Sequence, residues 1–138
     1  MAHTTLANAT DLHHWASRRE SQAKLPELIR RLIRETTRNL QKISFRSDEG
    51  IQLGGWDGVV ETEVGNDFAP TGVSVWELGV DRNVKGKADR DYEKRTAHPG
   101  EIDPGKSTFI FVTTRRWGGK DDWINERVKE RKWLDVRA

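Results

Sequence analysis

The stretch STFIFVTT, residues 107–114, decides the fold of this chain, because apolar and β-branched residues follow one another in it almost without interruption. Such a strand is typical of a sheet interior that is covered on both faces. Two further runs, DGVVETEV (57–64) and VSVWELGV (73–80), alternate as half-buried strands do, and NDFAPTG (66–72) between them indicates a hairpin loop. These three runs predict a central β-sheet.

Amphipathic and charged segments around these strands predict helices. In KLPELIRRLIRETTRNL (24–40) the apolar positions recur with helical spacing, and Pro26 is expected in the first turn. Shorter helices are expected from Thr10 or Asp11, within KADRDYEKRT (87–96), and after a cap at Asp121 or Asp122. With KISF (42–45) and WLDV (133–136) as extra strands, the sequence predicts an α+β sandwich. It would have a central mixed sheet of about four to five strands flanked by helices.

A chain of 138 residues is expected to form one domain. We expect residues 1–20 to be an N-terminal extension with a short helix, and residues 21–138 to be the domain itself. The last residues, WLDVRA, read as the middle of an element rather than its end. This favours the N-terminal domain of a longer protein whose further domains follow.

The composition excludes several classes of function. The chain has no cysteine, so it has no disulfide framework, no thiolate zinc site and no cysteine nucleophile. The first residues lack the pattern of a signal peptide, and no apolar run approaches the length of a membrane span. A soluble, cytoplasmic protein without a membrane partner is expected.

Charge is distributed unevenly although the net charge is only +2. Residues 18–42 contain eight Lys or Arg against three Glu, whereas residues 47–79 contain seven Asp or Glu and no basic residue. Basic residues return after Gly79. The pattern suits a cation site framed by a surface that binds a polyanion, and an evenly charged solvated surface is the alternative.

Three carboxylates stand at positions where they could converge. Asp57 opens one hairpin strand within GGWDG (54–58), and Glu77 closes the other, so strand pairing can bring both to one face. Glu35, seven residues after Leu28, borders the apolar stripe of the first long helix and could point toward the sheet. Converging oxygens are what Mg²⁺ requires. The alternative is that Asp57 caps a turn and Glu35 faces solvent.

The arrangement resembles the PD-(D/E)xK, or restriction-endonuclease-like, nuclease superfamily, and within it the Mrr-like branch. GGWDG matches the glycine turn of that branch, and WEL (76–78), separated from Asp57 by 19 residues, matches its second acidic position. FIFVTTRRW with the helix after it resembles the family's buried strand and packed helix. The resemblance implies a nuclease that cuts DNA with Mg²⁺ or Mn²⁺, in which Asp57 and Glu77 are catalytic and, with Glu35, bind the metal.

One position departs from the family pattern. The third residue of the acidic-x-Lys triplet is Gly79 here, so the lysine that stabilises charge on the phosphate has to come from elsewhere. Lys85 and Lys87 follow closely and are the candidates. Otherwise the site is inactive, and the fold serves as a module that binds nucleic acid or a protein partner.

The resemblance also implies a surface that binds DNA. Basic side chains would neutralise phosphates without reading the sequence, Gly55 would let the backbone approach the substrate, and Trp56 could stack on a base, although tryptophans more often fill cores. A homodimer is one expected form, because nucleases that cut both strands often dimerise. The setting in which such domains occur suggests the effector of a bacterial defence protein. The basic candidates are Arg34, Arg38, Arg115, Arg116 and Lys120.

Overall fold

The computed structural model describes residues 8–46 and 55–138, and the statements below refer to these residues. Two features of the sequence lie outside these ranges. They are Gly54 and the polar, glycine-bearing turn that is expected after KISF, around residues 48–50. The sheet has five strands, and a short 3₁₀ turn, Pro104–Lys106, precedes the fourth. The strands are β1 (Leu40–Phe45), β2 (Gly58–Thr62), β3 (Gly72–Gly79), β4 (Ser107–Thr113) and β5 (Asp135–Arg137). The helices are α1 (Ala9–Trp15), α2 (Ser21–Thr36), α3 (Val84–Ala97) and α4 (Lys120–Lys129).

The strands lie in the sheet in chain order, β1 to β5. The pairs β1–β2 and β2–β3 are antiparallel, whereas β3–β4 and β4–β5 are parallel. Helices α3 and α4 form the two crossovers that parallel pairing requires. The predicted mixed sheet and its interior strand at residues 107–113 are therefore confirmed.

Two apolar layers cover the sheet, one on each face. Helix α2 packs on one face, where Leu25, Ile29 and Ile33 meet Trp76 and Ile110. Helices α3 and α4 pack on the other face, and the second layer is mainly aromatic. Its larger members are Trp56, Tyr92, Phe109, Phe111, Trp123 and Trp133. The structure confirms the predicted α+β sandwich.

The ends of three helices differ from the prediction. Helix α2 begins at Ser21, whose Oγ donates to the carbonyls of Ala16 and Arg18, so Pro26 lies beyond the first turn. Helix α4 is preceded by Gly119, and Asp121 and Asp122 lie in its first turn, where negative charge is favourable. Helix α1 is capped by Asn8 rather than by Thr10 or Asp11. In the two described ranges, no helix is long and apolar enough to cross a membrane.

Helix α3 carries two stripes with four-residue spacing. Val84, Ala88 and Tyr92 are buried against the sheet. Lys87, Asp91 and Arg95 have the same four-residue spacing. Lys87 immediately precedes Ala88 and Asp91 immediately precedes Tyr92, so this second stripe borders the buried one. This second stripe faces the carboxyl end of β3, where the candidate site lies.

Asn83→Ala is expected to lower the free energy of unfolding by about 1 kcal/mol, because Asn83 caps α3. Its side-chain oxygen accepts a hydrogen bond from the amide of Gly86 at 3.0 Å. Thermal unfolding should show a melting temperature lower by about 3–5 °C. Asn83→Ser, which restores an oxygen acceptor, is the control, and equal melting temperatures for Ala and Ser would contradict a capping role.

Candidate functional site

Asp57 and Glu77 face each other at the end of the hairpin. The pairing of Gly58 with Trp76 makes them the next residues in register. The backbone amide of Asp57 donates to Glu77 Oε2 at 3.2 Å, and the amide of Leu78 donates to Asp57 Oδ2 at 2.9 Å. The two carboxyl groups are close enough for Asp57 to raise the pKa of Glu77. The structure therefore brings together the two acidic residues on which the family resemblance depends.

Glu77 lies in an unusual electrostatic environment. Its residue surface is only 2% exposed. Burial raises the pKa of Glu77 to about 8, the hydrogen bond and charge of Asp57 add to this, and Arg95 opposes it. Burial therefore favours the neutral form of Glu77, whereas a cation held against this carboxyl group, such as the guanidinium of Arg95, favours its charged form.

The side-chain stem of Lys87 lies beside Gly79, the position at which the acidic-x-Lys pattern has its lysine. A Cβ atom added to Gly79 would lie 2.8 Å from Lys87 Cγ and 3.1 Å from Lys87 Cε. The aliphatic stem of Lys87 thus crosses the space that a side chain at position 79 would fill. Lys85, the other candidate, is exposed and pairs with Asp89 at 2.8 Å on the side of α3 that meets α4.

Asp91 is a third carboxylate near the pair, and the sequence analysis did not single it out. Lys87 Nζ lies 3.1 Å from both carboxylate oxygens and donates to Oδ1. Oδ2 is buried, and no donor among the described residues reaches it in hydrogen-bond geometry. Burial raises the pKa of Asp91, and the charge of Asp57 adds to the shift, so the two side chains lie within electrostatic reach.

Two arginines that the sequence analysis did not single out contact the carboxyl pair. Arg95 Nε lies 2.5 Å from Glu77 Oε1, and both side chains are largely buried. Arg46 Nη1 lies 3.5 Å from Asp57 Oδ1, and its side chain is 60% exposed. Arg95 is inside the site, whereas Arg46 is at its rim.

Asp57 opens to solvent through a cleft of about 260 Å³ between the first half of α2 and the hairpin. Gln22, Ala23 and Pro26 line one side of this cleft, and Arg46 and Leu78 line the other. A ligand would therefore reach Asp57 from the α2 side, while Glu77 lies behind it on the α3 face.

The structure does not bring Glu35 to this site. Glu35 is exposed in the last turn of α2, about 20 Å along the helix axis from Gln22 at the cleft. The sequence analysis placed it by its spacing from Leu28, but Leu28 is itself 44% exposed. The buried stripe runs through Leu25, Ile29 and Ile33 instead, and a position aligned with Leu28 faces solvent.

Trp56 and Gly55 have structural surroundings that differ from those expected. Trp56 is 1% exposed, packs edge-on against Phe109 and Trp133, and donates from its indole to the carbonyl of Pro99. Its indole is therefore unavailable for stacking on a base. Gly55 has φ +93°, and its open face is filled by the guanidinium of Arg95.

The predicted phosphate contacts lie at two ends of the sheet. Arg34 and Arg38 are exposed near the end of α2, and the carbonyl of Arg38 neighbours Thr62 at the end of β2 farthest from Asp57. Arg115 lies at the same sheet end as Glu77, but it donates to the carbonyl of Val80 and to Ser17. Arg116 and Lys120 are exposed nearby.

Comparison with protein-family models, with curated proteins and with solved structures finds no match to this chain. What the site can bind therefore depends on the side chains that it contains. In the described ranges, no three or more carboxylate, histidine or cysteine side chains are arranged to hold a metal. Mg²⁺ and Mn²⁺ fit Asp57 and Glu77 all the same, because such ions accept two carboxylates and complete their shell with water and phosphate oxygens. Arg95, which holds Glu77 Oε1, would oppose the binding of such an ion by its charge.

Glu77→Gln is expected to remove a pH dependence of stability. A carboxyl group whose pKa is raised from 4.5 to about 8 by folding stabilises the protein fully below pH 4.5. That contribution is lost as the pH rises toward 8, at on the order of 1.4 kcal/mol per pH unit. Urea unfolding at pH 5, 6.5 and 8 should show the wild type losing stability relative to Glu77→Gln. Parallel pH profiles for the two proteins would contradict the raised pKa.

Proposed function

We propose that this protein is a metal-dependent nuclease domain that hydrolyses DNA phosphodiester bonds with little sequence specificity. The observation that carries the proposal is the position of Lys87. Gly79 stands where the PD-(D/E)xK pattern has its lysine, and the stem of Lys87 crosses the space above that glycine. A helix lysine thus lies beside Gly79, two residues after Glu77, at the end of the strand that carries this carboxyl group.

Each group has a distinct role in this proposal. Asp57 and Glu77 would hold a divalent cation, which when bound would supply positive charge beside the scissile phosphate and lower the pKa of a water molecule. Lys87 donates to the phosphate oxygen on which charge develops. Asp91, which accepts from Lys87 Nζ at 3.1 Å, orients that amine. The cleft beside Asp57 admits the substrate.

The DNA contacts proposed from the structure lie at the cleft and at the end of the sheet that carries Glu77. Arg46 at the rim, and Arg116 and Lys120 at the same sheet end as Glu77, can neutralise flanking phosphates. Because such contacts are made to the phosphates of DNA and not to its bases, we expect the nuclease to have little sequence preference. A homodimer and a role in bacterial defence stay predictions.

The test is incubation of supercoiled plasmid with the purified protein in Mg²⁺, Mn²⁺, Ca²⁺ or EDTA. We expect nicked and then linear plasmid with Mg²⁺ or Mn²⁺ and none with EDTA. The ends of the products should show no consensus sequence. If DNA migrates as a stable complex and stays uncut in every metal, the protein is a binding module and not a nuclease.

That second function, an inactive nuclease-fold module, is favoured by a specific observation. Arg95 neutralises Glu77 at 2.5 Å, and Asp91 neutralises Lys87 at 3.1 Å, so the acidic and basic groups of the site are satisfied within the chain. A module of this kind would bind DNA or a protein without needing a divalent cation. Binding that is equal in EDTA and in Mg²⁺ would support it.

A further inference from the structure

Arg95 holds one oxygen of Glu77, Oε1, while the amide of Asp57 donates to the other, Oε2. Its Nε lies 2.5 Å from Glu77 Oε1, and the side chains are 15% and 3% exposed respectively. Arg95 comes from the last turn of α3 and reaches across to the end of β3. A charged pair this short and this dry is held firmly, because each partner would lose its counter-charge if the other moved away.

The chain is built to accept this guanidinium. Gly55 has φ +93°, and a Cβ atom there would lie 2.3 Å from Arg95 Nη1 and 3.0 Å from Arg95 Cζ. The guanidinium therefore lies directly against the backbone of Gly55. Trp56, the next residue, has its ring centre 5.9 Å from Arg95 Cζ, within range of a cation–π interaction.

The guanidinium and a divalent cation would compete for the charge of Glu77. Oε2 is the oxygen of Glu77 that faces Asp57, because it accepts from the amide of Asp57 at 3.2 Å. An ion shared by the two carboxyl groups would therefore bind at Oε2 while Arg95 holds Oε1. Two positive groups on one buried carboxyl group repel strongly, so the guanidinium weakens the binding of the ion.

We infer that Arg95 is the resident cation of the carboxyl pair and that its charge opposes the binding of Mg²⁺ or Mn²⁺ at Glu77, so that Arg95 sets the metal affinity of the site. This inference rests on the proposed function, because it takes Asp57 and Glu77 as the metal ligands. It predicts a weak metal site in the wild type. Removing the guanidinium should strengthen metal binding, whereas removal of an ordinary supporting residue would weaken it.

The experiment is calorimetric titration of Mn²⁺ into the wild type, Arg95→Gln and Gly55→Ala. Arg95→Gln should bind Mn²⁺ about tenfold to a hundredfold more tightly, the range that corresponds to one charge-assisted hydrogen bond. Gly55→Ala, which displaces the guanidinium without removing it, should change the affinity in the same direction. Arg90→Gln is the matched control, because Arg90 is an exposed arginine of the same helix paired with Asp81.

The melting temperature gives a second readout without catalysis. Saturating Mn²⁺ should raise the melting temperature of Arg95→Gln more than that of the wild type. If Arg95→Gln does not fold without metal, Arg95→Lys replaces it and should show a smaller gain in affinity. Equal or weaker Mn²⁺ binding by the Arg95 variants, with measurable binding by the wild type, overturns this inference alone. Failure of every protein to bind Mn²⁺ overturns the proposed metal site with it.

Discussion

Asp57→Asn is expected to reduce DNA cleavage at least about 10³-fold while leaving the fold intact. A metal ligand contributes several kcal/mol to the transition state, and each 1.4 kcal/mol corresponds to a factor of ten in rate. Asparagine keeps the side-chain oxygen that accepts from the amide of Leu78 at 2.9 Å, so the turn should remain in place. Glu77→Gln should have a comparable effect. The measurement is the initial rate of plasmid nicking in Mg²⁺.

Asp81→Asn is the matched control for this loss. Asp81 lies just after β3, is 46% exposed at its side chain and pairs only with Arg90 among the contacts of the described residues. Its substitution should leave the rate within about twofold, since surface changes away from a site have small effects. Equal nicking by wild type, Asp57→Asn and Glu77→Gln would show that the activity arises elsewhere, for instance from a contaminating nuclease.

Lys87→Ala is expected to lower the cleavage rate about 10²-fold, the usual cost of removing one donor to a developing negative charge. Lys85→Ala is the control, because Lys85 belongs to the same helix but pairs with Asp89 toward α4. Its rate should stay near that of the wild type. A larger loss for Lys85→Ala than for Lys87→Ala would reverse the assignment.

The double variant Gly79→Lys with Lys87→Ala tests the same assignment by a gain of activity. Alanine at position 87 vacates the space above Gly79, and the φ of Gly79 is not positive, so an L-residue can be placed there. A lysine at position 79 would then occupy the position that the acidic-x-Lys pattern prescribes. We expect it to recover part of the activity that Lys87→Ala loses, whereas Gly79→Ala with Lys87→Ala should recover none.

The strands of the sheet and the pairing of the hairpin could be predicted from the sequence because each strand has a strong local signal. STFIFVTT is apolar on both faces and became interior strand β4, and the alternation in VSVWELGV placed Val75 and Glu77 on one face. The Asp57–Glu77 contact followed from this alternation and from a short hairpin. Local periodicity is enough for such features, since neighbouring strands share one register.

The rest of the site depends on how α3 is rotated, and no local pattern of the sheet contains that information. Lys87, Asp91 and Arg95 reach the carboxyl pair because Val84, Ala88 and Tyr92 fix the buried side of the helix. The four-residue spacing of this charged set next to the apolar set was the available signal. The same spacing distinguishes the two candidate lysines, because Lys87 belongs to the charged set and Lys85 lies on the opposite border of the apolar stripe.

Two candidate site residues are not where the sequence analysis expected them. Glu35 was aligned with Leu28, and Leu28 is exposed, so the carboxylate points away from the sheet. Trp56 was a candidate for stacking on a base, but its ring packs in an aromatic layer with Phe109 and Trp133. Tertiary packing decides both cases.

The most direct test of the account is anomalous diffraction from crystals of the protein soaked in Mn²⁺. The account predicts an anomalous peak within about 2.5 Å of carboxylate oxygens of both Asp57 and Glu77. Water or substrate oxygens should complete the shell. The absence of any peak at saturating Mn²⁺, with Arg95 still bound to Glu77, would contradict the metal centre and leave an inactive binding module as the function.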